Sequence, residues 1–246
     1  MNDFISLIIL FGVGLIAGFI NVNAGGGSSL TLPVLIFLGL DSALANGTNR
    51  VSLIIQNLTA VQSFKKEEYH QFNTSLKLAL FTLPGAITGA FLAVKIDDIL
   101  FQKILGVVMI GIIISMLFNK KNSKTNKNGL ITWIGYLSMF GIGFYGGFIQ
   151  VGVGFLLMAS LNYLMKFDLV VTNMHKVFIV FIYTIPAVMI FALTDNINWL
   201  FGLSLGIGSA LGGWWGAKFS IKKGEKFIKY VLMTAILIMA VKMFGL

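Results

Sequence analysis

Ten apolar segments fill most of this 246-residue chain, near 4–22, 28–38, 45–64, 72–94, 99–118, 130–150, 153–165, 173–193, 197–217 and 227–245, with short charged loops between them. A helix crosses a hydrocarbon core of roughly 30 Å with about 20 apolar residues. The chain is 57% hydrophobic and 11% charged, where a soluble domain carries about 25% charged residues. These features predict an all-α polytopic membrane protein. The ten-residue alternation of a membrane β-barrel is missing. With no cysteine there is no disulfide, thiol nucleophile or thiolate metal site. The net charge of +9 would suit nucleic acid, but the lysines sit in loops between apolar segments. The positive-inside bias accounts for them, so the expected surroundings are a lipid bilayer and not nucleic acid. Met1-Asn2-Asp3 lacks a basic leader region, so the segment from Phe4 is expected to be retained as a span.

Two segments, 28–38 and 153–165, are too short to cross: at 1.5 Å per residue they reach about 16 and 20 Å. Each follows a glycine break. The first is Asn21-Val22-Asn23-Ala24-Gly25-Gly26-Gly27-Ser28-Ser29, the second Gly152-Val153-Gly154. Glycine is about 1 kcal/mol worse than alanine inside a helix. An unwound turn in lipid also strands N–H and C=O groups at several kcal/mol each. Such a break must be buried in protein or line a wet cavity. Its bare N–H groups, backed by the dipole of the next helix, form a receptor for an anion. Glycine also serves close helix packing, but three in succession, flanked by Asn21, Asn23, Ser28 and Ser29, favour a site.

The second half repeats the first. Gly14-x-x-x-Gly18-Phe19-Ile20-Asn21-Val22 recurs 129 residues later as Gly143-x-x-x-Gly147-Phe148-Ile149-Gln150-Val151. At an offset of 127, Asp41 matches Asp168 and Asn46 matches Asn173, which sets Thr48-Asn49 over His175-Lys176. Gly85 and Gly89 align with Gly208 and Gly212, and Lys95 with Lys218. The expected units are a first repeat at 1–118, a linker at 119–129 and a second repeat at 130–246. Each repeat would hold a broken-helix/half-helix hairpin and three crossings. Loops 65–71, 119–128, 166–172 and 218–226, with adjoining helix ends, then share one side and carry fourteen of the eighteen basic residues. That side is expected to be cytoplasmic. The repeats are then inverted and both termini lie outside.

Inverted repeats with broken helices are the pattern of secondary transporters, whose substrate sits where the breaks meet. Arg50 is the only arginine; its counterpart region holds His175 and Lys176. Charges inside membrane segments cost at least about 2.5–3.5 kcal/mol and usually mark function. Snorkelling to headgroups from helix ends is the other reading. It is weakened by the polar runs that precede both, Asn46-Gly47-Thr48-Asn49 and Thr172-Asn173. Gln56, Asn57, Tyr183 and Thr184 either line the path or bond between helices. All nine acidic residues fall in loops or at segment ends, which leaves no buried carboxylate as a cation relay and leaves His175 as the one near-neutral titratable group close to the path. No catalytic, metal or cofactor constellation is present: His70 and His175 belong to different segments, and the glycine run lacks the lysine of a P-loop.

Gly14, Gly18, Gly25-Gly26-Gly27 and Pro33-Val34-Leu35, followed by Ala45-Asn46-Gly47-Thr48-Asn49, form a pattern that resembles the sulfite exporter TauE/SafE family over nearly the whole chain. The resemblance implies an inner-membrane transporter of small sulfur-containing anions such as sulfite or organosulfonates; charge alone supports only a small anion. Phe155 and Leu156 stand where the first repeat has Gly26 and Gly27, and Asn162 where it has Pro33, so the second break is expected to be narrower and more apolar. The expected site joins the N–H groups of Gly25, Gly26, Gly27, Ser28 and Ser29, and those of Gly152 and Gly154, to the charges of Arg50 and Lys176. Asn21, Asn23, Thr48, Asn49 and Gln150 add neutral hydrogen bonds, and His175 a site for proton coupling. An anion channel and a non-transporting scaffold subunit are the rivals, and a homo-oligomer remains open.

Overall fold

The computed structural model describes residues 3–69, 71–117 and 129–222. His70, the last apolar segment at 227–245 and the linker apart from Gly129 lie outside the described residues. Within them the helices are α1 (Asp3–Ala24), α2 (Ser28–Phe37), α3 (Ser42–Lys66), α4 (Phe72–Ala93), α5 (Asp98–Leu117), α6 (Trp133–Phe148), α7 (Val153–Met158), α8 (Leu169–Leu193) and α9 (Trp199–Lys222). A π-helical stretch, Ala159–Leu164, continues α7. No strand occurs among the described residues.

The short segments are indeed short helices, and two of the long ones, α3 and α8, begin three to four residues earlier than hydropathy alone predicts. Helix α8 starts at Leu169 because Asp168 Oδ1 accepts from Val171 N–H at 2.9 Å, a side-chain cap for an orphan donor. Helix α3 starts at Ser42, whose N–H donates to Asp98 Oδ1 at 2.6 Å. The polar runs 46–49 and 172–173 are therefore helical, and they face inward.

Small residues decide which helices pair. Gly14 and Gly18 of α1 press on Leu205 and Ser209 of α9, while Gly208 and Gly212 press back on Phe11, Leu15 and Phe19. The same device joins α4 to α6: Gly143 and Gly147 lie on Thr82 and Ala86, and Gly85 and Gly89 on Phe140, Phe144 and Phe148. Within each pair the numbers rise together, so both pairs are parallel. Helices α3 and α9 also run parallel, with Gly202 beside Val51, Gly206 beside Ile55 and Thr59 Oγ1 donating to Ala210 O. So do α4 and α8, with Ser75 paired to His175 near their starts and Ala90 and Ala93 clustered with Ala187, Ile190 and Phe191 near their ends. Exchanging the halves turns the α1–α9 pairing into α6–α4 and the α3–α9 pairing into α8–α4, and leaves α3–α8 unchanged.

Side chains are distributed opposite to those of a soluble protein. Phe4, Leu80, Val107, Trp133 and Leu193 lie exposed, while Arg50, Lys176, Gln56, Asn57 and Thr184 are buried. Phe4–Ala24, Phe72–Ala93 and Leu169–Leu193 have the length and apolar composition to cross a membrane. Gly18→Leu is expected to cost folded yield, because its Cβ would lie 2.8 Å from Ser209 Cα and overpacking costs about 1–3 kcal/mol or more. Gly12→Leu on the same helix should be tolerated, since nothing lies within 4 Å of its Cβ position. Size-exclusion profiles of the two variants in detergent check this.

Candidate functional site

Helix α1 stays wound through Asn21 and Asn23 and unwinds only at Gly25, which takes φ +82°. Helix α2 restarts at Ser28: Ser29 N–H donates to Gly26 O, and Leu30 N–H to Gly27 O. Among the described residues no backbone carbonyl accepts from the N–H groups of Gly26, Gly27 or Ser28, all of them buried. The second break covers 149–152, with Gln150 at φ +64° and Gly152 at φ +75°. Gly154, expected in that break, lies in the first turn of α7. The two breaks meet backbone to backbone: a Cβ on Gly25 would sit 2.5 Å from Gly154 C. Only glycine permits that approach.

Two buried cations stabilise the helix ends at these breaks, each reaching across from the other half. Arg50 of α3 donates through Nη1 to Gly146 O at 3.1 Å and through Nη2 to Gly147 O at 2.5 Å, in the last turn of α6. Asn46 Nδ2 adds a bond to Phe148 O at 2.8 Å, and the guanidinium lies over the Phe191 ring. Lys176 of α8 donates to Val22 O, in the last turn of α1, and to Asn173 Oδ1, both at 2.8 Å. A helix C-terminus carries partial negative charge and unpaired carbonyls, so a cation there is favourable. The desolvated charges thus find backbone partners and do not snorkel.

Amides at matching repeat positions complete the junction. Asn21 Nδ2 donates to Gln56 Oε1 at 3.2 Å. Its counterpart Gln150 accepts at Oε1 from Tyr183 OH at 3.0 Å, and Tyr183 is the repeat counterpart of Gln56. Gln150 Oε1 also faces Arg50 Nη1 at 3.5 Å. A left-handed φ on a non-glycine residue costs about 1–3 kcal/mol and clusters at functional positions; of the four such residues among those described, Glu68, Gln150, Lys166 and Asp195, only Gln150 is buried.

A narrow crevice of about 10 Å³, room for about one water molecule, lies at this junction, lined by Asn21, Asn57, Gln150, Val153, Gly154, Lys176 and Val180. Four expected residues therefore converge: Asn21, Gln150, Gly154 and Lys176. Arg50 stands behind Gln150, turned to α6. Asn23 Nδ2 donates to Phe19 O and to Gly216 O of α9. Thr48 Oγ1 accepts from Asn198 N–H, and Asn49 Oδ1 from Thr31 Oγ1. His175 Nδ1 pairs with Ser75 Oγ at 2.7 Å, beside the Phe167 ring. Ser28 and Ser29 are buried at the start of α2, and Ser29 Oγ has no partner among the described residues. Gly152 packs on Ile112. Asn57 lines the cavity, while Gln56 holds Asn21, which resolves two residues that sequence left open. Val153 and Val180 carry no polar signal by which sequence could have marked them.

The family model described as sulfite exporter TauE/SafE matches residues 10–243. The chain belongs to this family. The TauE/SafE protein is 29% identical over 239 residues to a "Probable membrane transporter protein" of Haemophilus influenzae, covering 96% of the chain and 94% of the relative. It is 27% identical to "Probable membrane transporter protein ORF9" of Sinorhizobium sp, over 96% and 92%. It is 25% identical to "Probable membrane transporter protein YfcA" of Escherichia coli K12, over 96% and 88%. No solved structure matches it. Family and relatives together make it a multi-pass membrane transporter.

Arg50→Gln should lower the stability of the TauE/SafE protein by about 2–4 kcal/mol, since a buried polar group left unpaired costs about 1–3 kcal/mol and two α6 carbonyls lose their donor. Thermal unfolding in detergent measures it, and an unchanged midpoint would mean that Arg50 does not hold α6.

Proposed function

We propose that this TauE/SafE protein is a secondary transporter of a small anion, sulfite or a related sulfur oxyanion or organosulfonate, working by alternating access. The cavity carries the reading: a lysine ammonium, three side-chain amides and a backbone glycine converge on it, with no carboxylate among its lining residues. That set favours an oxyanion, since cationic and amide donors form strong charge-assisted hydrogen bonds to it. Lys176 supplies the charge. Asn21, Asn57 and Gln150 supply neutral donors, and the N–H groups of Gly26, Gly27 and Ser28 lie at the first break, with that of Gly154 in the first turn of α7.

The protein is read as two inverted repeats, 1–118 and 130–246, joined by a cytoplasmic linker at 119–129, with both termini outside. The parallel pairings support this. Helices α1, α3 and α9 share one direction and α4, α6 and α8 the other, because α3 and α8 run antiparallel, with Gly47 beside Phe191 and Asn57 at the cavity with Lys176 and Val180; exchanging the halves then reverses every direction. A pair of inverted halves can rock about a fixed central site, opening it to each side in turn.

Uptake of radiolabelled sulfite into proteoliposomes tests the function. A carrier gives flux that saturates with sulfite and accelerates when unlabelled sulfite is present on the other side. Flux without saturation or counterflow would indicate an anion channel, and no flux above protein-free liposomes would indicate a non-transporting subunit; either result overturns the proposal.

A further inference from the structure

Gln150 lines the cavity through a side chain whose orientation other residues fix. It is fully enclosed at 2% exposure, and Tyr183 and Arg50 behind it are at 0%. Tyr183 OH donates to Gln150 Oε1 at 3.0 Å, and Arg50 Nη1 approaches the same oxygen at 3.5 Å. An amide oxygen has two lone pairs, and both are occupied here by donors. Rotating the amide by a half-turn would set its NH2 against a guanidinium, which can only donate. Arg50 itself is held in place by Gly146 O and Gly147 O. The backbone adds to the constraint, because Gln150 sits at φ +64° immediately after α6, a conformation a side-chain-bearing residue rarely adopts.

We infer that Arg50 and Tyr183 are positioning residues that lock the Gln150 amide with its NH2 group as the donor available to the cavity, and that this lock makes the site selective for ligands that present only hydrogen-bond acceptors, such as sulfonate and sulfite oxygens. The inference rests on the anion-transport reading and adds a specificity device to it. Lys176 attracts negative charge of any geometry; the locked amide discriminates by proton. A ligand carrying an N–H or O–H at that position meets a donor facing a donor. Buried polar groups left unpaired in this way are what give a hydrogen-bonding site its large discrimination.

The test is competition against radiolabelled sulfite uptake in proteoliposomes, comparing methanesulfonate with its neutral isostere methanesulfonamide, which places N–H donors where the anion has an oxygen. In the wild-type protein methanesulfonate should compete at least tenfold better than methanesulfonamide. Tyr183→Phe keeps the ring and removes one of the two donors holding the amide; it should raise the KM for sulfite at least threefold and narrow the competitor ratio by a similar factor. A purely structural loss would lower Vmax with the amount of folded transporter and leave the ratio where it was, and that result overturns the inference. Gln150→Glu is close to isosteric but cannot donate, and should raise KM at least tenfold; sulfite transport at the wild-type KM would also overturn it. If Gln150→Glu fails to fold, the Tyr183→Phe ratio decides alone. Absence of saturable flux in the wild-type protein removes the transport reading and this inference with it, whereas wild-type flux with an unchanged Tyr183→Phe ratio removes the inference only.

Discussion

Alanine at Gly25 is expected to abolish sulfite transport. Two independent penalties fall on this one methyl group. Gly25 has φ +82°, where an L-residue costs about 1–2 kcal/mol. Its Cβ would also lie 2.5 Å from Gly154 C and 2.6 Å from Gly154 Cα. Both neighbours are backbone, so no side chain can swing aside, and overpacking of a rigid contact adds about 1–3 kcal/mol or more. Gly154→Ala separates the two effects. Gly154 has no positive φ, yet its Cβ would strike the backbone of Gly25, so that variant carries the collision without the strain. Both variants should unfold at lower temperature in detergent, Gly25→Ala more so, and neither should move sulfite at a measurable rate. Wild-type flux from Gly154→Ala would mean that contact between the breaks is dispensable.

The second large effect is expected at Lys176. Hydrogen bonds to a charged group contribute about 1.5–3 kcal/mol, so removing the ammonium should weaken sulfite binding by about 10- to 100-fold. Lys176→Met keeps a similar length and volume without the charge. It should also release Val22 O at the end of α1, lowering the unfolding temperature of the ligand-free protein. The two losses can be read separately, from the midpoint without sulfite and from its rise with added sulfite. Retention of the full sulfite-dependent rise would return Lys176 to a helix cap and nothing more.

The pattern of apolar segments, the two short helices and the meeting of the breaks were legible in the sequence, because each follows from a local rule applied twice. The glycine pairs 14/18, 85/89, 143/147 and 208/212 were equally visible, but not which would face which. Partner choice depends on the shape of whole helix faces, and only the fold reveals that α1 takes α9 and α6 takes α4. Arg50 illustrates a different limit. Its burial could be read from its place in an apolar segment, and its charge suggested an anion. A buried guanidinium needs acceptors, however, and the carbonyls at the end of α6 take both of its Nη groups without a ligand, while Nε has no hydrogen-bond partner among the described residues. Lys176, which the alignment sets opposite Asn49 and not Arg50, does the same at α1 and also borders the cavity. Helices α3 and α8 begin ahead of their apolar segments because Asp41, Asp168 and the inward-facing asparagines are polar, and polarity marks a segment end only when the segment faces lipid.

Crystals grown with selenite, a selenium analogue of sulfite, offer the most direct measurement, since anomalous scattering locates the anion without reference to any fitted model. A selenium peak should lie in the cavity between Gly154 and Lys176 Nζ, within hydrogen-bond reach of Gln150 Nε2. A peak elsewhere in the bundle, with this cavity empty in a protein that binds sulfite, would contradict the claim that the two broken helices hold the anion where they meet.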